Sequence, residues 1–598
     1  MKSNKVTSLF IVCLLLSSCG HKTTSVSDSS QDNSVSTSSI SSNSTSSCEH
    51  DFVVEDNKNT TLSILEPVGG KKYTCSKCGE VRLEGVTYDL SQYAFENQAF
   101  VYDGKEHALT IKGMLPYGCT VEYENNTLKD KGNKEATAKV YDAAHQLIDE
   151  KKATISVIDN NGLYNIYVDT SNVEIVSKEE YVTMKLSTDN CPSDYVKTNV
   201  AGGIRCRGNG TYTYDKKPYR IKFSSKTNMF GLNNGAKAKS WVLLAEYADQ
   251  SMVRNSSAFY LGNSLFNYSN NYCSDYMPVN LYLNGEYHGL YVLAEQQQAN
   301  ANRIRINEAD EDVTATDVGY LVELDSRASQ EDYYFSVGKG SLNGSWGQNG
   351  DPLDGTYVTG RDYAIKTDVY SQDQVNFIKK YITNVYYALY KAVHGDGLYV
   401  LDKNNELKKS PYTSQYETLN SIIDLESVFK MYLLYEHMKD IDVGFGSFYM
   451  FVDFSSTGVY KRLTFGAPWD FDWSSGNVND NYVAKSDGEY CSNNQGNYNP
   501  WFFMFSKTDF FRSMMKKYYS VFKNSNILEG AINQANYFAS AYQSDYAKNY
   551  SKWKNLGTIV PKYTPNVAKQ WTKHQDAVDY FTDWLTKRKT ALDKIFKE

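Results

Sequence analysis

Between residue 163 and about residue 300, apolar and polar side chains alternate, whereas from about residue 372 the apolar residues recur three and four apart. Those two periods, in that order, predict a β-rich unit followed by a helical one. Successive strand side chains point to opposite faces, while a helix returns every third or fourth residue to one stripe. The strand pattern is clearest at Glu180–Leu186, Lys217–Phe223 and Val279–Leu293. The last of these contains Asn284-Gly285, a pair suited to a two-residue turn with positive φ at both positions, so it predicts a hairpin. On the helical side Val375, Ile378, Ile382, Val385, Tyr386 and Leu389 share one face. A second helix is expected from Asp424, as N-cap, through Tyr435 toward Lys439.

Four segments of different composition precede this region. Residues 1–19 place Lys2 and Lys5 ahead of an apolar run, Leu9 to Leu16, that ends in L-S-S-C. That run is too short to span a bilayer core of about 30 Å. The pattern is that of a bacterial lipoprotein leader with Cys19 acylated, which predicts attachment to the outer face of the cytoplasmic membrane by lipid alone. Residues 20–47 are almost entirely Ser, Thr, Asn and Asp and predict a disordered tether. Residues 48–85 hold Cys48 and His50, then Cys75 and Cys78 in C-x2-C spacing with Gly79 behind them. Two thiolates so spaced grip one tetrahedral ion, and four ligands leave no open position, so a structural zinc is expected. The segment resembles zinc-ribbon-like units. Residues 86–158 alternate in short runs broken by Y-D-G-K and E-N-N turns, the pattern of a small all-β module. The stretches YDGKEHALTIKGMLP and VEYENNTLKDKGNKEATAKV resemble the bacterial surface modules called MBG domains, which implies a spacer or adhesive unit.

Composition excludes several classes. A net charge of -8 is the wrong sign for a nucleic-acid binder, and 41% hydrophobic residues exclude wholesale disorder. No stretch after the leader approaches the eighteen consecutive apolar residues of a membrane span. Outside the leader and the Cys48–Cys78 cluster, Cys119, Cys191, Cys206, Cys273 and Cys491 are odd in number and irregular in spacing, so they read as core thiols.

The acids that carry chemistry follow the second helix. D-I-D-V-G-F-G at Asp440–Gly446 leads to a hairpin, Ser447–Val452 with Tyr460–Phe465, which returns the chain to A-P-W-D-F-D-W at Ala467–Trp473. A hairpin between two acidic stretches lets both face one cleft, where one carboxylate can orient a hydroxyl and others hold magnesium. Asp440 and Asp442 also read as turn residues. Asp470 and Asp472 among Trp469, Phe471 and Trp473 are costly to keep without a cation.

Six fragments appear in the order of a known family: IRCRGNGTYTYDKKPYRIKF, SWVLLAEYADQSMVRNSSAF, LYLNGEYHGLYVLAEQ, GYLVELD, DIDVGFGSFYMF and TFGAPWDFDWSSGN. Together they resemble the CotH (spore coat protein H) kinases. The resemblance implies an α+β multidomain chain in which an all-β module precedes an atypical protein-kinase-like domain of two lobes, β-rich and then helical. That domain would occupy residues 163–490, with 491–598 as its helical C-terminal part. It implies ATP and Mg2+ as cofactors and a protein substrate phosphorylated on Ser or Thr. Asp442 corresponds to the catalytic-loop aspartate, and Asp470 and Asp472 to the metal-binding pair. Arg207, Gly208 and Asn209 would lie over the nucleotide, and Lys222, ending its strand with Arg220 on the same face, would anchor phosphate. Glu246 or Glu295 would hold that lysine extended. Lys222 also reads as a solvated strand lysine, and Arg254 as a structural residue. One departure is Ser447, where kinases place a metal-binding Asn five residues past the catalytic Asp, and it puts two-metal geometry in question. A catalytically degenerate surface scaffold and a glycoside hydrolase with paired carboxylates are the rival readings.

Overall fold

The computed structural model describes residues 48–269, 271–337, 361–479, 484–493 and 499–597. The leader, Cys19 and the Ser/Thr-rich stretch lie outside the described residues. The fold is a mixed α+β arrangement, with a β-rich N-terminal part that includes a closed barrel and a helical C-terminal region.

The first sheet is three-stranded, Phe52–Asp56, Lys71–Cys75 and Val81–Glu84, and carries the Cys/His cluster at one end. A four-stranded sheet follows, built around the long antiparallel pair Gly132–Tyr141 and Leu147–Ile158. Ala136, Ala138, Val140, Ile155 and Val157 alternate into its core. This segment, which the sequence reads as a spacer or adhesive unit, is docked on the helical region. Met114 is buried in the same core as the helices. The Leu115 amide donates to Ser525 Oγ at 2.9 Å, the Val101 amide to the Tyr537 hydroxyl at 2.9 Å, and Lys430 Nζ to Gln92 Oε1 at 2.9 Å.

The seven strands of the barrel run, in order around it, Asn165–Asp169, Val182–Asp189, Lys197–Cys206, Tyr219–Thr227, Ala238–Leu244, Glu286–Glu295 and Tyr276–Leu283. Ile204, Ile221, Trp241, Leu243, Tyr291 and Leu293 fill its interior. On the Ala238–Leu244 and Glu286–Glu295 strands the outward residues Val242, Leu244, Val292 and Ala294 are apolar too, because they are buried in the core shared with the helices, among them α1, Arg254–Phe266. Burial on both faces explains the unbroken apolar runs of these two strands, where alternation fails. The Asn284-Gly285 turn forms as expected, with φ of 51° and 85°.

A five-stranded sheet links the barrel to the helices in the order Tyr334–Val337, Arg361–Ile365, Gly319–Leu324, Phe448–Asp453 and Thr464–Phe465. The hairpin expected between the acidic stretches is thus the edge of a larger sheet. Around it lie α2 (Gln372–His394), α3 (Gln415–Asn420), α4 (Leu425–Met438), α5 (Pro500–Phe505), α6 (Phe511–Asn524), α7 (Ile527–Ala541), α8 (Gln543–Trp553) and α9 (His574–Ile595). Helix α2 starts on a Ser371/Gln374 capping box and stops at Gly395 with φ 77°. Helix α4 is buried on all sides, so no amphipathic stripe marks it. Asp424 is its N-cap residue, but its carboxylate makes no capping bond and lies 3.5 Å from Arg462. Among the described residues no helix is long and apolar enough to cross a membrane, and all eight cysteines there are free.

Two core histidines donate to carbonyls: His437 Nδ1 to Leu433 at 2.7 Å and His574 Nε2 to Ser251 at 2.6 Å. Burial lowers them to about 3 and about 4. A folded-state value below the unfolded one makes the stability they contribute complete above pH ~6.5 and lost as pH falls toward those values. Unfolding free energies from urea titrations between pH 7 and pH 4 should therefore contain a decline of at most ~1.4 kcal/mol per pH unit per histidine, opposite in sign to the contribution of the buried carboxyls. His574→Asn should shallow that decline, and an unchanged slope would refute the assignment.

Candidate functional site

Helix α4 ends at Lys439 in the left-handed region, φ 49°, which throws Asp440 and Asp442 sideways off its axis. The loop then closes on itself, the Phe445 and Gly446 amides donating to the Asp442 carbonyl at 2.8 and 3.1 Å. It is joined to the D-F-D loop twice. The Ile441 amide donates to the Trp473 carbonyl at 3.3 Å, and the Ser475 amide to the Met438 carbonyl at 2.7 Å. Within the D-F-D loop Phe471 is buried, its ring 4.9 Å from Tyr435, while Asp470 is exposed and Asp472 half-buried. Ser447 Oγ donates to Asp470 Oδ2 at 3.2 Å. Besides Lys439, the non-glycine residues Glu246 (52°), Ser447 (55°), Ala467 (55°), Asp470 (71°) and Ser475 (46°) have positive φ here. Each costs of order 1 kcal/mol and persists because the surrounding bonds hold it.

Those bonds come from residues 246–255, which sequence reading left without a role apart from Glu246 and Arg254. Asn255 Oδ1 accepts the Phe471 amide at 2.7 Å, and its Nδ2 donates to Glu246 Oε1 at 3.0 Å. Arg254 is fully buried, ion-paired with Asp249, and donates to the Ser474 and Ser475 carbonyls at 3.2 and 3.3 Å. The structural reading of Arg254 is therefore the one seen: it fixes the backbone just past the D-F-D loop. A Q-S-M-V-R-N run on an unremarkable helix start gives no hint of this partnership.

The acids act on one another. Burial raises the Asp472 carboxyl well above its usual range, and repulsion from Asp470, Glu246, Asp249 and Asp442 raises it further. Burial, then Asp442, Asp470 and Asp472, do the same to Asp440. Burial and Asp249 push Glu246 up to about 8. Asp440, Asp442, Asp470 and Asp472 are thus brought into one site, with Glu246 added. With Asp440, Asp472 and Glu246 resisting ionisation, the group is a donor set that a hard divalent cation relieves.

The basic residues lie on the barrel. The Arg207 guanidinium stacks 5.4 Å from the Trp469 ring, just ahead of Asp470. Arg220 is held below its usual range by burial and by Arg205, Arg207 and Arg303, despite the opposing pull of Tyr181. Gly208 has φ 82°, a conformation that suits glycine, and Asn209 accepts from Lys178 at 3.0 Å. Two expectations need correction. Lys222 does not end its strand, which continues to Thr227, and its side chain is exposed. Nor is Glu295 its partner: Glu295 pairs with Arg303 at 3.0 Å and accepts from Asn233 and Tyr272, while Glu246 is bound to Asn255. Both carboxylates are buried and the lysine faces solvent on the barrel exterior, so neither reaches it. Beside the acids Trp473, noted from the sequence, is joined by Tyr563, which sequence reading did not single out. Trp473 and Tyr563 lie 4.9 Å apart, and Tyr563 feels the charges of Asp472, Asp442 and Asp470.

A second constellation sits at the three-stranded sheet. One ligand atom each from Cys48, His50, Cys75 and Cys78 lies within 4.8 Å of the others, so the cluster can hold a metal ion. The Cys48–Cys75 sulfur separation of 3.9 Å is close to the ~3.8 Å edge of a tetrahedron with Zn–S bonds near 2.3 Å. His50 Nδ1 faces Cys78 at 3.4 Å while Nε2 donates to Glu80 at 3.0 Å. A carboxylate on the far ring nitrogen is the arrangement that orients a metal-binding histidine. Burial works against ionising Cys75, yet hydrogen bonds from the Cys78 backbone and His50 outweigh it and hold the thiol at about 5. The hydrogen bond that the Cys48 thiol donates to Cys78, then burial, raises Cys48 to about 12.

Carboxylates gathered at the junction of a β-barrel and a helical region, with arginines on the neighbouring strands, define a domain suited to phosphate and divalent cations. The family model described as CotH kinase protein matches residues 204–592, well over half of the chain, so the chain belongs to the CotH kinase family. No curated protein matches it.

Two measurements check these sites. The folded carboxyls bind protons more tightly than the unfolded ones, so their contribution to stability is complete below about pH 4 and lost as pH rises through the raised values. Between pH 6.5 and 8.5, in EDTA, Asp472→Asn should melt higher than the parent by an amount that grows with pH, about 1–2 kcal/mol at the alkaline end. Millimolar Mg2+ should raise the parent and not the variant, and equal responses would exclude a cation at Asp472. Metal analysis should find one zinc per chain, lost in Cys75→Ser; retention in that variant would exclude the cluster as its site.

Proposed function

We propose that the chain is an atypical kinase with a β-rich lobe and a helical lobe, transferring the terminal phosphoryl group of ATP to Ser or Thr of surface proteins. The observation that carries this reading is the mutual electrostatic influence of Asp442, Asp470 and Asp472, with Arg207 stacked beside them. Asp442 accepts the proton of the acceptor hydroxyl and aims it in line with the phosphorus. Asp470 and Asp472 hold Mg2+, which when bound neutralises the phosphate oxygens. Arg207, stacked on Trp469 beside the acids, and Arg220, within electrostatic reach of Arg207, contact the phosphates in place of the expected lysine. Trp473 and Tyr563 offer flat faces for the base. Ser447 acts on Asp470 through its hydrogen bond rather than as a metal ligand.

A lipid anchor at Cys19 would hold this activity at the outer face of the membrane, its substrates being proteins within reach of the tether. The rival reading, a nucleotide-binding scaffold without transfer, is favoured by Ser447, which supplies a weaker ligand than Asn.

With the full mature chain, MgATP should raise the melting temperature, and labelled phosphate should appear on the chain or on a casein acceptor. Asp442→Ala should cut transfer by at least ~10²-fold while preserving the thermal shift, and Asp470→Ala should lose both. A MgATP shift without transfer would establish the scaffold, and no shift with the parent chain would end both readings.

A further inference from the structure

A cleft of about 820 Å3 opens where the docked β-rich segment meets α1, α7 and the Asn302–Arg305 loop, and no member of the acidic cluster lines it. Its volume is within the ~300–1,000 Å3 of small-molecule sites, and such sites favour domain junctions. Most of its charges are already paired. Lys112 pairs with Glu96 at 3.3 Å, and Asp103 accepts from His107 and Ser540 at 2.9 and 2.5 Å. Asp275 accepts the Asn233 and Tyr276 amides at 2.7 and 2.9 Å, and Arg303 is bound to Glu295. Acids and bases on the lining also balance, Glu96, Asp103, Glu106 and Asp275 against Lys105, Lys112, Arg303 and Arg305. Neither a phosphate nor a cation finds an excess of opposite charge there.

What remains for a ligand is neutral. Asn302, Asn533 and Asn536 line the cleft with no side-chain hydrogen bond to the described residues, and the half-buried Tyr268 adds an aromatic ring to the lining. A carboxamide donates and accepts at once, which matches adjacent hydroxyls that each need both. A ring on the same lining can cover the C–H face of a sugar, which is apolar. From this we infer that the cleft is a binding site for a neutral saccharide, contacted by the β-rich segment on one side and the helical region on the other. The site is separate from the acidic cluster, and the inference does not depend on phosphotransfer.

Titration calorimetry of the full mature chain with triacetylchitotriose and with cellotriose tests it. At least one should bind with Kd below about 1 mM. Asn533→Ala, an exposed position, and Tyr268→Ala should each weaken binding about tenfold or more, and Asp470→Asn should leave it unchanged. The inference is overturned if neither trisaccharide binds, if sulfate competes with the bound sugar, or if both cleft variants bind as the parent does. Melting curves of the two variants establish that they are folded.

Discussion

Mutual repulsion among carboxylates is the constraint around which this domain is organised. Asp440, Asp442, Asp470, Asp472 and Glu246 crowd a small volume, and left alone they would push the two loops apart. The backbone is held against that force by groups that carry no catalytic chemistry. Arg254, buried against Asp249, ties down the Ser474 and Ser475 carbonyls, and Asn255 clamps the Phe471 amide. Removing one partner of a buried ion pair costs about 3–5 kcal/mol, so this bracing is firm enough to store the charge that a cation relieves.

The bracing also explains the unusual backbone. Positive φ at Ser447, Ala467 and Asp470 turns the chain sharply enough to expose the Asp470 carboxylate while Phe471 stays in the core. An aromatic residue between two acids is a device for splitting them from their own backbone: the ring anchors, the carboxylates project. The Arg207 ring contact extends the same logic to the barrel, seating a cation over Trp469 beside the acids.

The β-rich segment ahead of the barrel shares the main core through Met114 and meets α4, α6 and α7 through hydrogen bonds. An undocked β module would be free to swing; this one is held against the helices, and a cleft lined from both sides results. The Cys/His cluster stands at the far end of the same N-terminal part, where a bound ion would stiffen a sheet of only three short strands.

Local pattern determined much of this. The order of β-rich and helical parts, the Asn284-Gly285 hairpin, the α2 stripe and its Ser371 cap, the C-x2-C knuckle and the acids on either side of a hairpin are all written in near-neighbour spacing, because each depends on periods of two to four residues or on one turn. Contacts across hundreds of residues are not so written. Whether Glu295 meets Lys222 or Arg303, and whether Arg254 reaches Ser474, is set by closure of the barrel and by α1 packing on its outer face. The same holds for the all-round burial of α4 and for the docking of the β-rich segment. Those outcomes depend on which surfaces lose water together, a property of the assembled core that no stretch of sequence carries alone.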